Sequence, residues 1–206
     1  MIKVSDITIK KLKAGYLQSE LPEFFELKNC VENNSWHNDD PVFNHTLSVL
    51  EELEKLLNTV NNKINSYLNQ TIDSYSKRDL LFLATLFHDI AKTDTFAEEN
   101  NVTSCPQHEE IGSKKVRKIL DRFDLSEQEK VIVVNLVKYH GEIHPILSSK
   151  NDNLKEQLAD FETKHHDIFT ELILLGMSDT SGSQLKENNI DEYNFRIDYY
   201  RRIIER

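Results

Sequence analysis

Glycine, proline and cysteine are scarce in this chain, and it has no long apolar run. Five glycines and four prolines occur among 206 residues, well below the roughly 12% that these two residue types take in average proteins. The frequent turns of a β-sandwich or barrel are therefore not available, and a disordered chain is also disfavoured. No stretch approaches the roughly 20 apolar residues that span a bilayer. These absences predict a soluble protein built from helices.

Two features bear on the compartment in which the protein works. The two cysteines, Cys30 and Cys105, lie far apart in the sequence. The segment Met1 to Lys13 mixes charged residues with isolated Ile and Val, and it lacks the apolar block of a secretory signal. We therefore expect a cytoplasmic protein with reduced thiols, no disulfide and no redox chemistry.

The charge balance is acidic. The chain carries 25 Lys and Arg against 35 Asp and Glu, a formal net charge of −10. Broad binding to nucleic acid depends on Lys and Arg that displace counterions from phosphates, so RNA stays a possible partner that the net charge does not favour. If the substrate carries a phosphate, a local feature has to neutralise it.

Hydrophobic periodicity predicts one all-α domain over residues 1–206, with polar segments between the helices. The patterns Ser76-Lys-Arg-Asp79 and Ser126-Glu-Gln-Glu129 are capping boxes, which mark helix starts. A strand is the alternative for the Val- and Ile-rich segment Val131 to Val134. The predicted helices are Pro41 to about Leu68, Ser76 toward Ile90, about His108 to Phe123, Ser126 to near Gly141, one marked by Leu154, Leu158 and Phe161, then Ile168 to Asp179 and Asp191 to Arg206.

Ionisable residues interrupt the apolar stripes of several of these helices. His45, His88, His140 and Asp179 each fall on such a stripe, and Asp89 lies beside His88. A buried charge without a partner costs several kcal/mol, so these groups must pair, hydrogen-bond or bind a metal. Nitrogen and oxygen ligands without thiolates suit Fe, Mn, Ni, Co, Zn or Mg and argue against a closed structural zinc site. A buried polar network without metal is the alternative.

Short motifs in this order carry a family resemblance. They are Asn44-His45-Thr46-Leu47, Leu86-Phe87-His88-Asp89-Ile90-Ala91-Lys92 and His108-Glu109-Glu110-Ile111-Gly112, followed by His140 and Asp179. This set resembles the HD-domain phosphohydrolase superfamily and is most similar to the HD domain of bacterial tRNA nucleotidyltransferases, the CCA-adding enzymes. The resemblance covers about residues 21–182 and implies an all-α HD-domain helical bundle. Residues 183–206 are then a C-terminal helical extension.

The resemblance implies a role for each matching residue. It implies that six residues hold one or two divalent metal ions. Asp89 would bridge two ions, and a metal-bound hydroxide would be the nucleophile. Lys92, one helical turn after His88, is expected to hold a phosphate oxygen or to stabilise the leaving group, so Asp89 and Lys92 are the catalytic candidates. The six predicted metal ligands are His45, His88, Asp89, His108, His140 and Asp179.

The sequence also departs from related domains. Gly182 precedes Ser183, where related domains often have Gly-Arg, so a phosphate-binding guanidinium is missing there. Ala91-Lys92 replaces the acidic pair of (p)ppGpp hydrolases, which argues against that activity. His37 and His144 are expected either at the mouth of the site or in exposed loops.

These observations predict a metal-dependent phosphohydrolase. Its expected substrate is a nucleotide-like phosphomonoester or a (cyclic) phosphodiester. The alternative is a non-catalytic nucleotide- or RNA-binding regulatory module that keeps the same pocket. The identity and number of the metal ions and the oligomeric state are left open by the sequence.

Overall fold

A computed structural model describes residues 1–206, which form a bundle of helices with two short antiparallel hairpins. The predicted all-α helical bundle is confirmed. The helices are α1 (Ile9–Lys13), α2 (Pro22–Glu26), α3 (Val42–Leu57), α4 (Asn62–Leu68), α5 (Lys77–Phe87), α6 (Lys92–Thr95), α7 (His108–Ile119), α8 (Glu127–Tyr139), α9 (Ile143–Ile146), α10 (Leu154–Lys164), α11 (Phe169–Gly182), α12 (Leu185–Asn188) and α13 (Ile190–Ile204). The hairpins pair β1 (Val31–Asn34) with β2 (His37–Pro41), and β3 (Ala97–Glu99) with β4 (Val102–Ser104).

Both predicted capping boxes are present and start their helices. The Ser76 hydroxyl accepts from the backbone N–H of Asp79 at the start of α5, and the Asp79 carboxylate accepts from the Ser76 N–H in return. Ser126 and Glu129 do the same for α8. Each box satisfies two backbone donors that a helix start leaves unpaired. The segment Val131 to Val134 lies inside α8, so the strand alternative is wrong.

The long helix predicted from Pro41 to Leu68 is two helices. Pro41 has an extended ψ of 132° and precedes α3 instead of forming its first turn. After α3 the chain turns, and the Asn61 side chain accepts from the backbone N–H of Ile64 at 3.0 Å. This asparagine cap provides a second helix start, which the apolar spacing alone did not indicate.

The two hairpins occupy segments that the sequence analysis assigned to polar connections. Asn100 and Asn101 form the two-residue turn between β3 and β4, with φ of 52° and 61°. Asparagine tolerates this left-handed conformation, which hairpin turns require. The Asn33 N–H donates to Thr103 Oγ1 at 2.7 Å and joins the hairpins side by side. Their strands are too short and too polar to show the alternation of a strand.

The cysteines show how the fold brings distant segments together. Cys30 precedes β1 and Cys105 follows β4, and their free, buried thiols lie close to each other. Both belong to a continuous apolar core that extends from Val4 to Ile203. The chain ends therefore pack on the same core as the middle of the chain. No helix is both long and apolar enough to cross a membrane.

Helix α11 runs through the centre of the bundle and packs against α3 and α13. Two of its glycines allow this close approach. A Cβ added at Gly182 would lie 2.7 Å from the backbone nitrogen of Val49, and one at Gly176 would lie 2.6 Å from the Tyr200 hydroxyl. Because the glycines flank Asp179 on both sides, the contacts that they allow fix the depth at which this carboxylate enters the core.

We expect Gly182→Ala to destabilise the protein by about 1–3 kcal/mol, because the new methyl group meets α3 backbone that cannot move aside. Urea unfolding measures the change. Gly112→Ala is the matched control, since its Cβ would find its nearest neighbour at 3.5 Å, an ordinary contact. The control should be neutral or stabilised by up to about 1 kcal/mol through helix propensity. Equal stabilities for the two variants would contradict the close approach.

Candidate metal centre

Six side chains from five parts of the bundle converge at one end of a cavity of about 840 Å³, which is lined almost entirely by polar residues. The helices supply them at their ends or from their buried faces, so rigid elements set their positions. Two lie in the first turn of a helix, one lies in a last turn, and the other three follow a helix within two residues. They are the six residues predicted as ligands: His45 (α3), His88 and Asp89 (after α5), His108 (α7), His140 (after α8) and Asp179 (α11).

Asp89 lies between two groups of histidines and is only 2% exposed. Its Oδ2 atom is 3.2 Å from His88 Nε2 and 3.6 Å from His45 Nε2. Its Oδ1 atom is 3.3 Å from His108 Nε2 and 3.7 Å from His140 Nε2. One carboxylate therefore presents one oxygen to each side.

Two sets of three ligand atoms result, each with all its atoms within 4.8 Å of one another. One set contains His45, His88 and Asp179, and the other contains Asp89, His108 and His140. Such a distance suits atoms that surround one ion. The geometry thus offers two adjacent positions for a cation, with Asp89 between them.

Asp179 is the carboxylate of the first set and also contacts a further histidine. Its Oδ1 atom is 2.9 Å from His45 Nε2, and its Oδ2 atom is 2.8 Å from His144 Nε2. His144 therefore contacts a predicted ligand directly. Of its two predicted locations, the mouth of the site and an exposed loop, the structure shows the first. His37 is also buried, and its ring centroid lies 4.6 Å from that of His45.

Three of the histidines are oriented by the same local contact. In each, Nδ1 lies 2.7–2.8 Å from the backbone carbonyl three residues earlier. A carbonyl only accepts, so the Nδ1–H donates and Nε2 is left to face the centre. The three pairs are His88 with Thr85, His108 with Cys105, and His140 with Val137.

Several buried polar atoms of the centre have no hydrogen-bond partner. They include His88 Nε2, Asp89 Oδ2 and the Nδ1 atom of His45. Buried polar atoms are rarely left unpaired, because each costs about 1–3 kcal/mol. Unpaired Nε2 and carboxylate oxygens that point at a common space fit divalent cations, and this nitrogen and oxygen set suits Fe, Mn, Ni, Co, Zn or Mg.

The protonation of the centre follows from its packing. Burial acts to lower the pKa of His88, but the carboxylates of Asp89 and Asp179 outweigh it and raise this pKa to about 9. Burial acts to raise the pKa of Asp89, yet His88 and Lys92 hold it well below its usual value. Burial, together with the nearby His45 and Lys92, lowers the pKa of His37 to about 3.

Lys92 borders the centre and has two carboxylate neighbours. Its Nζ atom is 3.0 Å from Asp89 Oδ2 and 2.7 Å from Oε2 of Glu32. Burial acts to lower the pKa of Lys92, but these carboxylates raise it above its ordinary value, so the side chain is an ammonium. Glu32 comes from β1 and is absent from the sequence-based ligand set, because nothing in its polar surroundings marked it.

The tip of the first hairpin forms another wall of the cavity. Trp36 lies there, and the Arg196 guanidinium of α13 packs over its ring at 4.9 Å from the centroid. Arg196 also donates to the backbone carbonyl of His144 at 2.7 Å. The Arg196 guanidinium therefore reaches the site. The position after Gly182, where related domains often have an arginine, is Ser183 in this chain. Sequence reasoning assigned α13 only as an amphipathic helix.

Comparison with known proteins identifies the family of the chain. The HD domain family matches residues 42–191, well over half of the chain. The chain belongs to the HD domain family. The sequence is 26% identical over 175 residues to a bifunctional uridylyltransferase/uridylyl-removing enzyme of Neisseria gonorrhoeae, covering 84% of this chain and 19% of that protein. A protein of the same name from Nitrosospira multiformis is 25% identical over 174 residues, covering 84% of this chain and 18% of that protein.

The comparisons refine the resemblance that the motifs suggested. The HD superfamily is confirmed, whereas the relatives found are uridylyl-removing enzymes and not the CCA-adding enzymes that the sequence analysis favoured. This chain spans about a fifth of the length of these relatives.

We expect the metal-free protein to lose stability as pH rises from about 6.5 to about 9. In this window the folded protein keeps the His88 proton that the unfolded chain releases, because the pKa of His88 is raised to about 9. Stability then falls with a slope of up to about 1.4 kcal/mol per pH unit for this proton. Below pH 6.5 the contribution is fully present.

Thermal unfolding in EDTA across this pH range tests the prediction. His88→Gln should reduce the slope to the contribution of His108, whose pKa Asp89 also raises against the effect of burial. His166→Gln, which changes an exposed histidine, should keep the full slope. A wild-type melting temperature that stays constant from pH 6.5 to 9 would show that His88 is not held as a cation.

Proposed function

We propose that this protein is a metal-dependent phosphohydrolase that uses two divalent ions, with Asp89 as the bridging ligand. The observation that carries the proposal is the placement of Asp89, one oxygen toward each set of histidines. Divalent ions held there would supply Lewis acids for a phosphoryl group and would lower the pKa of a bound water. The proposed ligands are His45, His88 and Asp179 for one ion, and His108 and His140 for the other.

Charge balance favours two ions over one. Asp89, Asp179 and Glu32 carry three negative charges and Lys92 one positive charge, a net of −2 when the histidines are neutral ligands. One divalent ion makes the centre neutral, and two make it +2. Only the second state attracts a phosphate anion into a protein whose overall charge is −10.

Lys92 is the proposed phosphate contact. Its ammonium lies in the cavity wall beside Asp89, and burial of the side chain limits its freedom. A fixed ammonium next to the ions is placed to bind a phosphoryl oxygen or to stabilise the leaving group. We therefore assign Asp89 and Lys92 as the catalytic residues of the proposed reaction.

A nucleotide-like phosphate ester is the proposed substrate. A cavity of about 840 Å³ is in the range of sites that hold small molecules of this size. The relatives carry the name of uridylyl-removing enzymes, which supports a uridylyl ester as the first substrate to test. We also propose that residues 1–206 act as one HD domain, with 183–206 contributing Arg196 to the cavity wall.

Metal content tests the two-ion centre. Untagged protein loaded with Mn, Co, Ni or Mg and analysed by mass spectrometry should hold about two ions per chain. Asp89→Asn should lose ions from both positions and lower turnover by at least about 100-fold, because both sets share this residue. Circular dichroism checks that the variant is folded. About one ion per chain, or full turnover in the variant, contradicts the proposal.

A panel of esters tests the substrate class. Uridine 5′-(p-nitrophenyl phosphate) should be hydrolysed faster than p-nitrophenyl phosphate, which lacks the nucleoside. Uridine monophosphate should inhibit the reaction. If uridine monophosphate binds but no ester is turned over with any of the four metals, the hydrolase is contradicted and the non-catalytic nucleotide-binding module is supported.

A further inference from the structure

A buried glutamate on the first hairpin has a single close basic partner. Glu32 is 3% exposed, and its Oε2 atom accepts from Lys92 Nζ at 2.7 Å. The Nε2 atom of His37 is 3.6 Å from the same oxygen, too far for a hydrogen bond. A buried carboxylate without compensation is costly, so Glu32 depends on Lys92 for its place in the core.

Lys92 in turn is shared between two carboxylates. Its ammonium is 3.0 Å from Asp89 Oδ2, the same oxygen that faces His88 and His45. A metal ion at the first position needs this oxygen as a ligand. The ammonium and the ion are both cations, so they compete for Asp89 Oδ2 unless the ammonium has another partner.

The first hairpin holds Glu32, the other partner of the Lys92 ammonium, in place. Asn33, next to Glu32, donates its N–H to Thr103 Oγ1 at 2.7 Å, and the same hydroxyl donates to the Asn33 carbonyl. The backbone N–H of Gln184 donates to the Trp36 carbonyl at the hairpin tip. The hairpin is thus fixed to the second hairpin and to the C-terminal segment, and Glu32 is held within 2.7 Å of Lys92 Nζ.

We propose that Glu32 is a positioning residue that competes with Asp89 for the Lys92 ammonium, so that a metal ion can displace the ammonium from Asp89 Oδ2. Glu32 also holds the ammonium on the cavity wall, where a phosphate oxygen arrives. The inference rests on the proposed function in taking Asp89 as the bridging ligand. Glu32 itself touches neither ion nor substrate in this arrangement.

Substitutions of Glu32 and Lys92 distinguish the contact that Glu32 makes with Lys92 from the negative charge that Glu32 carries. In Glu32→Ala the ammonium has only Asp89 as a partner and opposes the incoming ion. In Glu32→Gln the amide oxygen still accepts from Lys92, although the charge is gone. The double variant Glu32→Ala/Lys92→Met removes both charges, so it keeps the wild-type net charge and leaves Asp89 Oδ2 without a competitor.

Metal affinity, measured by calorimetric titration of Mn²⁺ into EDTA-stripped protein, tests the proposal without relying on turnover. We expect Glu32→Ala to bind at least about tenfold more weakly than wild type. Glu32→Gln should lose less affinity than Glu32→Ala. The double variant should return to within about threefold of the wild-type dissociation constant. Glu23→Gln removes a comparable ion pair with Arg122 outside the cavity and should bind as wild type.

Each contrary result has one meaning. Wild-type affinity in Glu32→Ala shows that Glu32 does not act on Lys92, and equal losses in Glu32→Ala and Glu32→Gln show an effect of charge alone. A double variant as weak as Glu32→Ala shows a role in folding the hairpin, which thermal unfolding in EDTA would also detect. All three overturn the inference while leaving the two-ion centre intact. A wild type that binds no Mn²⁺ overturns both.

Discussion

Burial of two aspartates beside four histidines in a helical core is the constraint on which the rest of this structure depends. Side chains of this kind are costly to bury, and here the cost is offset only because each faces another member of the group. Asp89 faces histidines on both sides, and Asp179 faces His45 and His144. A cation would satisfy the unpaired His88 Nε2 and would compete with the Lys92 ammonium for Asp89 Oδ2.

The helices serve this cluster by controlling how closely they approach. Helix α11 carries Asp179 between two glycines, and each glycine lies where a methyl group would collide with a neighbouring element. A looser packing of α11 on α3 would move the Asp179 carboxylate away from His45. Local contacts act at shorter range, since the carbonyl one turn back sets the ring of His88, His108 and His140. Helix packing thus sets the distances between ligands, and helix geometry sets their direction.

The sequence predicted the parts of this arrangement that depend on short-range pattern. The capping boxes started α5 and α8 as expected, and the histidines and aspartates on apolar stripes do converge. Glu32 and Arg196 could not be predicted in the same way, because Lys92 is 60 residues from Glu32 and the His144 carbonyl is 52 residues from Arg196. Those contacts depend on where the first hairpin and α13 pack. The hairpins themselves were missed, although Asn100-Asn101 is a recognisable turn signal.

The acidic surface and the anionic substrate together imply an order of binding. Without ions, the cavity has more negative than positive side chains and belongs to a protein of net charge −10, so it repels a phosphate ester. In the ion-free protein the cations beside Asp89 are Lys92, whose charge Glu32 compensates, and His88, whose pKa Asp89 and Asp179 raise against the effect of burial. Under the proposed function, divalent ions at the centre would therefore supply the main attraction for a phosphate ester. Such a centre would distinguish a small phosphate ester, which can enter the cavity, from an extended polyanion, which a protein of net charge −10 repels.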